Sequence, residues 1–216
     1  MKQLQLITLV LLVFFVPALA QTPNTDSLLK VADTARVDTI RFDAWHELGI
    51  YYMESEPVKG IEYGFRMTEL AQKIGDSGRI ALAYQLLGVS YDYKNDLDSC
   101  LYFLRKADTI HIVMNRYDKR AHIISDIALA YYLRGNYELA LRNHLVALEL
   151  RRRLNNKPHI SKSLNNIGLL YKHRKDYETA LRYYRESIML KEEQKDERGL
   201  VNTYMEIGRA SCRERV

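Results

Sequence analysis

Apolar side chains in this chain recur three and four positions apart, in runs separated by short polar breaks. The stretch from Leu164 to Glu193 shows the pattern most clearly. Leu164, Ile167, Gly168 and Tyr171 form one stripe, and Tyr177, Ala180, Leu181, Tyr184, Ser187 and Ile188 form a second, so two amphipathic helices are predicted. Arg174 and Lys175 close the first helix. Asp176 stands where an N-cap belongs, with Glu178 in the first turn, where a carboxylate meets the positive end of the helix dipole. Asn136 with Glu138, and Asp96 with Asp98, repeat the arrangement. No proline lies between Pro57 and Pro158, so nothing interrupts helices through the middle of the chain.

The first stripe occurs four times. Trp45, Leu48, Gly49 and Tyr52 are followed by Tyr84, Leu87, Gly88 and Tyr91, then Ile124, Ile127, Ala128 and Tyr131, then Leu164, Ile167, Gly168 and Tyr171, at steps of 39, 40 and 40 residues. A unit of this size that cannot bury its own apolar face must stack on its neighbours, which predicts an all-α solenoid of antiparallel helix pairs. Gly88, Ala128 and Gly168 are expected opposite Cys100, Ala140 and Ala180, where missing side chains let paired backbones approach.

Trp45-x2-Leu48-Gly49-x2-Tyr52 followed by Ile61-x3-Phe65 resembles the tetratricopeptide repeat pattern of a large residue, Leu-Gly, Tyr, then small-x3-aromatic. The resemblance runs from residue 42 to about 205 and implies a right-handed α-solenoid. Ile61 and Cys100 depart from it in place of the small Ala, Leu104 and His144 in place of the aromatic, and the terminal Pro is absent. Segments such as Asp38–Tyr52 and Leu164–Glu193 resemble exported bacterial members, which often form periplasmic sensor segments of signalling proteins. The expected organisation is a signal peptide over 1–20, a capping segment over 21–41, and repeats over 42–80, 81–120, 121–160 and 161–200. A truncated repeat is expected over 201–205 and a non-native tail over 206–216.

Those end assignments rest on composition. Lys2 precedes an apolar run from Leu6 to Val16 broken only by Thr8, then Pro17 and Ala18-Leu19-Ala20, the grammar of a secretory signal cleaved before Gln21. The run is shorter than the roughly 20 residues that span a bilayer. Glu206 to Val216 reads EIGRASCRERV, which matches the translation of a common sequencing-library adapter. Without both ends, 28 basic and 25 acidic residues remain, a balance that gives no case for nucleic acid or an anionic membrane. A membrane connection is expected only through a segment downstream of residue 205.

Candidate chemistry is sparse. The six histidines show no HExxH spacing, there is no CxxC, and neither a phosphate-binding glycine loop nor a GxSxG elbow occurs, so no catalytic residue, metal site or cofactor is expected. Cys100 reads as a small core residue and His144 as a core replacement for an aromatic. Arg151-Arg152-Arg153 reads as a solvated helix end, with cations against the negative dipole terminus. Asp92 to Asp98 lacks the glycine and terminal Glu of a calcium loop and reads as a capped turn.

The remaining stripe of each first helix would line the inner, concave wall of the superhelix. It comprises His46, Ile50 and Met53; Gln85, Val89 and Asp92; Ser125, Leu129 and Tyr132; and Asn165, Leu169 and Lys172, flanked by Glu47, Asp126 and Asn166. Apolar residues interleaved with amides and hydroxyls suit a protein or peptide ligand, whose backbone needs polar partners and whose side chains need apolar pockets. His46, Gln85, Ser125, Asp126, Tyr132, Asn165, Asn166 and Lys172 are the expected contact residues, with Asn165-Asn166 foremost. Related tetratricopeptide proteins often use such an Asn to hold a peptide backbone, so the resemblance implies that role here.

Overall fold

The computed structural model describes residues 25–214, with side chains through residue 208, so the expected signal peptide lies outside the described residues. Ten helices follow one another in the described part: α1 (Thr25–Thr34), α2 (Asp38–Ser55), α3 (Pro57–Ile74), α4 (Ser77–Tyr93), α5 (Leu97–Val113), α6 (Tyr117–Leu133), α7 (Tyr137–Arg153), α8 (Lys157–His173), α9 (Tyr177–Glu193) and α10 (Glu197–Glu214). The described residues form an all-α repeat fold. Pairs α2–α3, α4–α5, α6–α7 and α8–α9 each stack on the next, and α10 packs against α9. Each first helix begins about four residues ahead of the blocks counted from the motif.

The turns explain the constant spacing. Asp76, Asp96, Asn136, Asn156 and Asp176 each accept the backbone N–H three residues on, at 3.0–3.3 Å, which satisfies an amide that the helix start leaves free. The residue before each cap, Gly75, Asn95, Gly135, Asn155 or Lys175, is left-handed, with φ between 51° and 76°. Each cap residue donates its own N–H to a carbonyl five positions back, as Asp96 does to Tyr91 at 2.9 Å, so helix end and helix start share one tight turn.

Between helices, small residues set the approach. A Cβ on Gly88 would lie 2.6 Å from Leu104 Cγ and 3.2 Å from the Cys100 carbonyl, and one on Gly168 would lie 2.7 Å from the Tyr184 ring. Gly88 therefore meets the Cys100 backbone as the spacing implies, while Gly168 meets the residue one turn beyond Ala180. Gly49 differs. It faces Leu86 of α4, so α2 packs directly on the next first helix. Cys100 is fully buried, and burial pushes its thiol up to about 12. His144 is buried in the aromatic's place.

The motif tyrosine stacks on the second helix of its own pair. Tyr52 lies on Tyr63, Tyr91 on Phe103 and Tyr171 on Tyr183, with centroids 5.5–6.1 Å apart and planes within 12°. Lys59, Lys94 and Arg174 cover the outer faces of those tyrosines. The third pair lacks the stack because Asn143 stands in the aromatic's place, its amide donating to the Leu139 carbonyl.

α1 covers the first pair. Ala32, with Leu28 and Val31, packs on Ala44, Leu48 and Trp45, and Arg41 donates to the Ala32 and Ala35 carbonyls at the end of α1. At the other end, Ile207 packs against the cluster of Ala180, Leu181 and Tyr184, and α10 continues as helix to Glu214, while Val201, Tyr204 and Met205 are exposed.

The reading of the arginine run needs correction. Arg152 and Arg153 are solvated and pair with Glu186 and Glu149, but Arg151 is 5% exposed. Its guanidinium donates to Ser163 Oγ at 2.5 Å and to the Ala121 carbonyl at 3.3 Å. The position points into the next pair rather than to water.

Candidate functional site

Successive first helices lie closer to one another than successive second helices do, so the first helices line the inner wall. Ile50, Val89, Leu129 and Leu169 take matching positions on α2, α4, α6 and α8 and make an apolar row half-buried to exposed, with Ile50 at 41% and Leu129 at 47%. Ile50, Met53, Leu82 and Val89 line a cleft of about 220 Å³ with His46 and Gln85. Val89, Leu129 and Leu133 line a second, about 370 Å³, with Asp92, Asp126 and Arg134.

Polar side chains beside this row join one first helix to the next. Gln85 Nε2 donates to Asp126 Oδ2 at 2.8 Å, Arg134 pairs with Asp92, Tyr132 Oη meets His173 Nε2 at 3.0 Å, Thr203 Oγ1 donates to Asn165 Oδ1 at 3.1 Å, and Lys172 pairs with Glu206. Five expected contact residues, Gln85, Asp126, Tyr132, Asn165 and Lys172, are thus engaged between repeats. These bonds fix helix spacing and hold the wall's polar groups in place before any ligand arrives. Among the described residues, Asn166 has no hydrogen-bond partner and His46 has only a 3.9 Å approach to Glu47. Ser125 Oγ is buried without a partner. The Asn165-Asn166 pair therefore divides into a tethered amide and a free one.

Burial raises Asp126 to about 6, against the pull of the Gln85 hydrogen bond and the Arg151 charge. Burial also lowers His46, although Glu47 and Asp43 oppose the shift. Asp126 is thus a weakened acid in the wall of the larger cleft. No nucleophile and base are brought together there. Among the described residues, no group of three or more His, Cys, Asp or Glu side chains could hold a metal ion, and no helix is long and apolar enough to cross a membrane.

The sequence reading missed two features. The stacking row of Tyr63, Phe103 and Tyr183 stands two residues before the motif's aromatic position in the first pair and one before it in the second and fourth, and aligning the second helices at 40-residue steps exposes it. His122 and His159 lie 4.6 Å apart between ring centroids, with no ligand spacing between them along the chain. They are 37 positions apart, so only the fold unites them.

The comparisons match this geometry. Residues 119–193 match the tetratricopeptide repeat family. That stretch runs from the first turn of α6 to the end of α9, and the same antiparallel helix pairing is found in α2–α5. BtubC (BKLC) from P. vanneervenii superposes with a TM-score of 0.77 at 22% identity, over 88% of this chain and 82% of its own. A signal transduction ATPase with numerous domains and a tetratricopeptide repeat sensor, from Pyrococcus horikoshii, gives 0.72 at 21%, over 82% of this chain and 28% of that one. A Rap protein complexed with competence and sporulation factor gives 0.70 at 18%, over 89% and 55%. The chain thus spans under a third of the ATPase and about half of the Rap protein. No curated protein matches the sequence.

Proposed function

We propose that the chain is a non-catalytic scaffold that binds a protein or peptide segment along the wall of its first helices. The observation that carries this reading is the apolar row of Ile50, Val89, Leu129 and Leu169, bordered by two clefts and by side chains held between repeats. Such a surface offers apolar pockets with few mobile polar groups, so little ordering opposes ligand binding. The Rap protein's complex with competence and sporulation factor, on the same fold, supports a ligand of this kind.

Asn166 is the free amide best placed to meet a ligand backbone. Peptides selected from a random phage-displayed library should bind Asn166→Ala about tenfold or more weakly, with unfolding stability unchanged. Equal binding by wild type and by the Asn165→Ala/Asn166→Ala pair would remove these amides from the site.

The apolar run from Leu6 to Val16 followed by Ala18-Leu19-Ala20 supports export, with the working chain in the periplasm or secreted. N-terminal sequencing of exported protein should then begin at Gln21. Uncleaved protein confined to the cytosol would reverse that assignment.

A second reading has support in the Pyrococcus horikoshii ATPase with its tetratricopeptide repeat sensor. On this reading the chain is the input segment of a larger signalling protein. An intact genomic read that continues into a run of about 20 apolar residues supports it, and a stop codon after one or two more repeats ends it.

A further inference from the structure

The inner stripe continues one turn toward the N-terminal ends of the first helices, and there its chemistry changes. Leu82 on α4 is followed at 40-residue steps by His122 on α6 and Lys162 on α8, and a neighbouring row reads Arg79, Lys119 and His159. The His122 and His159 rings meet edge to face, planes 88° apart and centroids 4.6 Å apart. His159 Nδ1 lies 2.9 Å from Asn156 Oδ1, which leaves its Nε2 unused. His122 is half-buried and has no hydrogen-bond partner among the described residues.

Charge around the pair is unbalanced. In α4, Arg79 is neutralised by Asp76 at 3.1 Å and Asp43 at 3.4 Å. Among the described residues, Lys119 and Lys162 have no ion pair, and buried Arg151 has carbonyl and hydroxyl partners and no carboxylate hydrogen bond, with Asp126 the acid that attracts it. Asp118 is the one acid acting on His122, against His159, Arg151 and Lys119; His159 feels Arg151 and Lys162. The start of α8, a 17-residue helix, adds the positive end of its dipole.

Two imidazoles at this separation could in principle hold a transition metal. The surrounding cations oppose that as strongly as they oppose protonation. An anion reverses every one of those repulsions, and a tetrahedral dianion can accept from donors on both helices at once. We propose that His122 and His159, flanked by Lys119 and Lys162 and backed by Arg151, bind a phosphate-type dianion at the N-terminal end of the first-helix wall. The anion is either free or carried as a phosphomonoester on a partner. This site does not depend on the apolar row being a peptide site.

NMR titration of the histidine rings in the full chain, with sulfate against chloride at constant ionic strength, tests the proposal. Sulfate stays doubly charged over the pH range of interest. Saturating sulfate should raise the midpoints of both His122 and His159 by about one unit and leave His46 unmoved, so sulfate should bind about tenfold or more tightly at pH 4.5 than at pH 7.5. His122→Gln/His159→Gln should abolish that pH dependence, while His46→Gln should retain it. Tighter binding of a phosphoserine peptide than of inorganic phosphate or the unphosphorylated peptide assigns the anion to a partner; equal affinity for the two phosphates assigns it to a free ion. Unmoved midpoints in wild type, or equal movement of all six histidines, overturn the site.

Discussion

The junctions α3–α4 and α7–α8 occupy the same place in units two repeats apart, and they are built from different chemistry. At the first, Met67, Leu70 and Ala71 meet Ala83 and Leu86 with Phe42, an apolar contact throughout. At the second, the residues matching Ala71 and Ala83 are Arg151 and Ser163, hydrogen-bonded in a buried setting. The change continues at α9–α10, where Lys191, 5% exposed, donates to Thr203 Oγ1 at 2.6 Å and to the Gly199 carbonyl at 3.2 Å. His111, between the two extremes, is buried against the core with Nδ1 unpartnered. A solenoid permits this because each junction is a local contact between neighbours. A buried cation needs acceptors within reach, and the carbonyl of Ala121 and a hydroxyl on the next helix supply them.

The comparison breaks most sharply on truncation. Met67→Ala should cost about 2–5 kcal/mol by opening a cavity in the apolar junction. Arg151→Ala should cost about 1–3 kcal/mol, mainly by leaving its buried acceptors without a donor. Arg151→Met with Ser163→Ala, which restores the apolar chemistry of the earlier junction, should fall within about 1 kcal/mol of wild type or above it. Urea unfolding measures all three. A double variant that loses as much as Met67→Ala would show that the two junctions are not interchangeable.

Acid should act on the polar half. Burial, with the Arg151 charge assisting, lowers His144 from 6.5 to about 4, so between those values the unfolded chain binds the extra proton. Stability therefore falls as pH drops from 6.5 toward 4, by up to about 3 kcal/mol for this group. His122, also lowered to about 4, together with His46, His111 and His159, adds loss of the same sign. Asp126 opposes it: raised from 3.8 to about 6, it gains stability as pH falls through 6. Denaturation midpoints at pH 7.5 and 4.5 should separate less in His144→Leu than in wild type, and an unchanged separation would exclude His144 as a source. The smallest effect belongs to the missing stack. Asn143→Tyr should place a ring on Tyr131 and add about 0.5–1.5 kcal/mol, whereas no gain in thermal midpoint would show that the third pair cannot accept the ring.

Much of the fold was legible because it is local. The 40-residue return of the Leu-Gly-Tyr stripe, the caps at Asp96, Asn136 and Asp176, and the buried Cys100 and His144 all follow from spacing along one or two helices. Arg151 was not legible, because three arginines at a helix end look alike until the next pair determines which one it covers. The inner-wall bonds were hidden for a related reason. Gln85 to Asp126 and Tyr132 to His173 each cross 41 residues, and the register between first helices is set by the left-handed turns rather than by either helix alone.

On the proposed function, the apolar row on the first helices is the binding surface. Leu129 on α6 and Val146 on α7 are almost equally exposed, at 47% and 48%, but only Leu129 belongs to that row. Binding of library-selected peptides, measured by titration calorimetry on Leu129→Asp and Val146→Asp, compares the two directly. Leu129→Asp should lose at least tenfold in affinity and Val146→Asp nothing, whereas the opposite pattern would place the binding surface off the first helices.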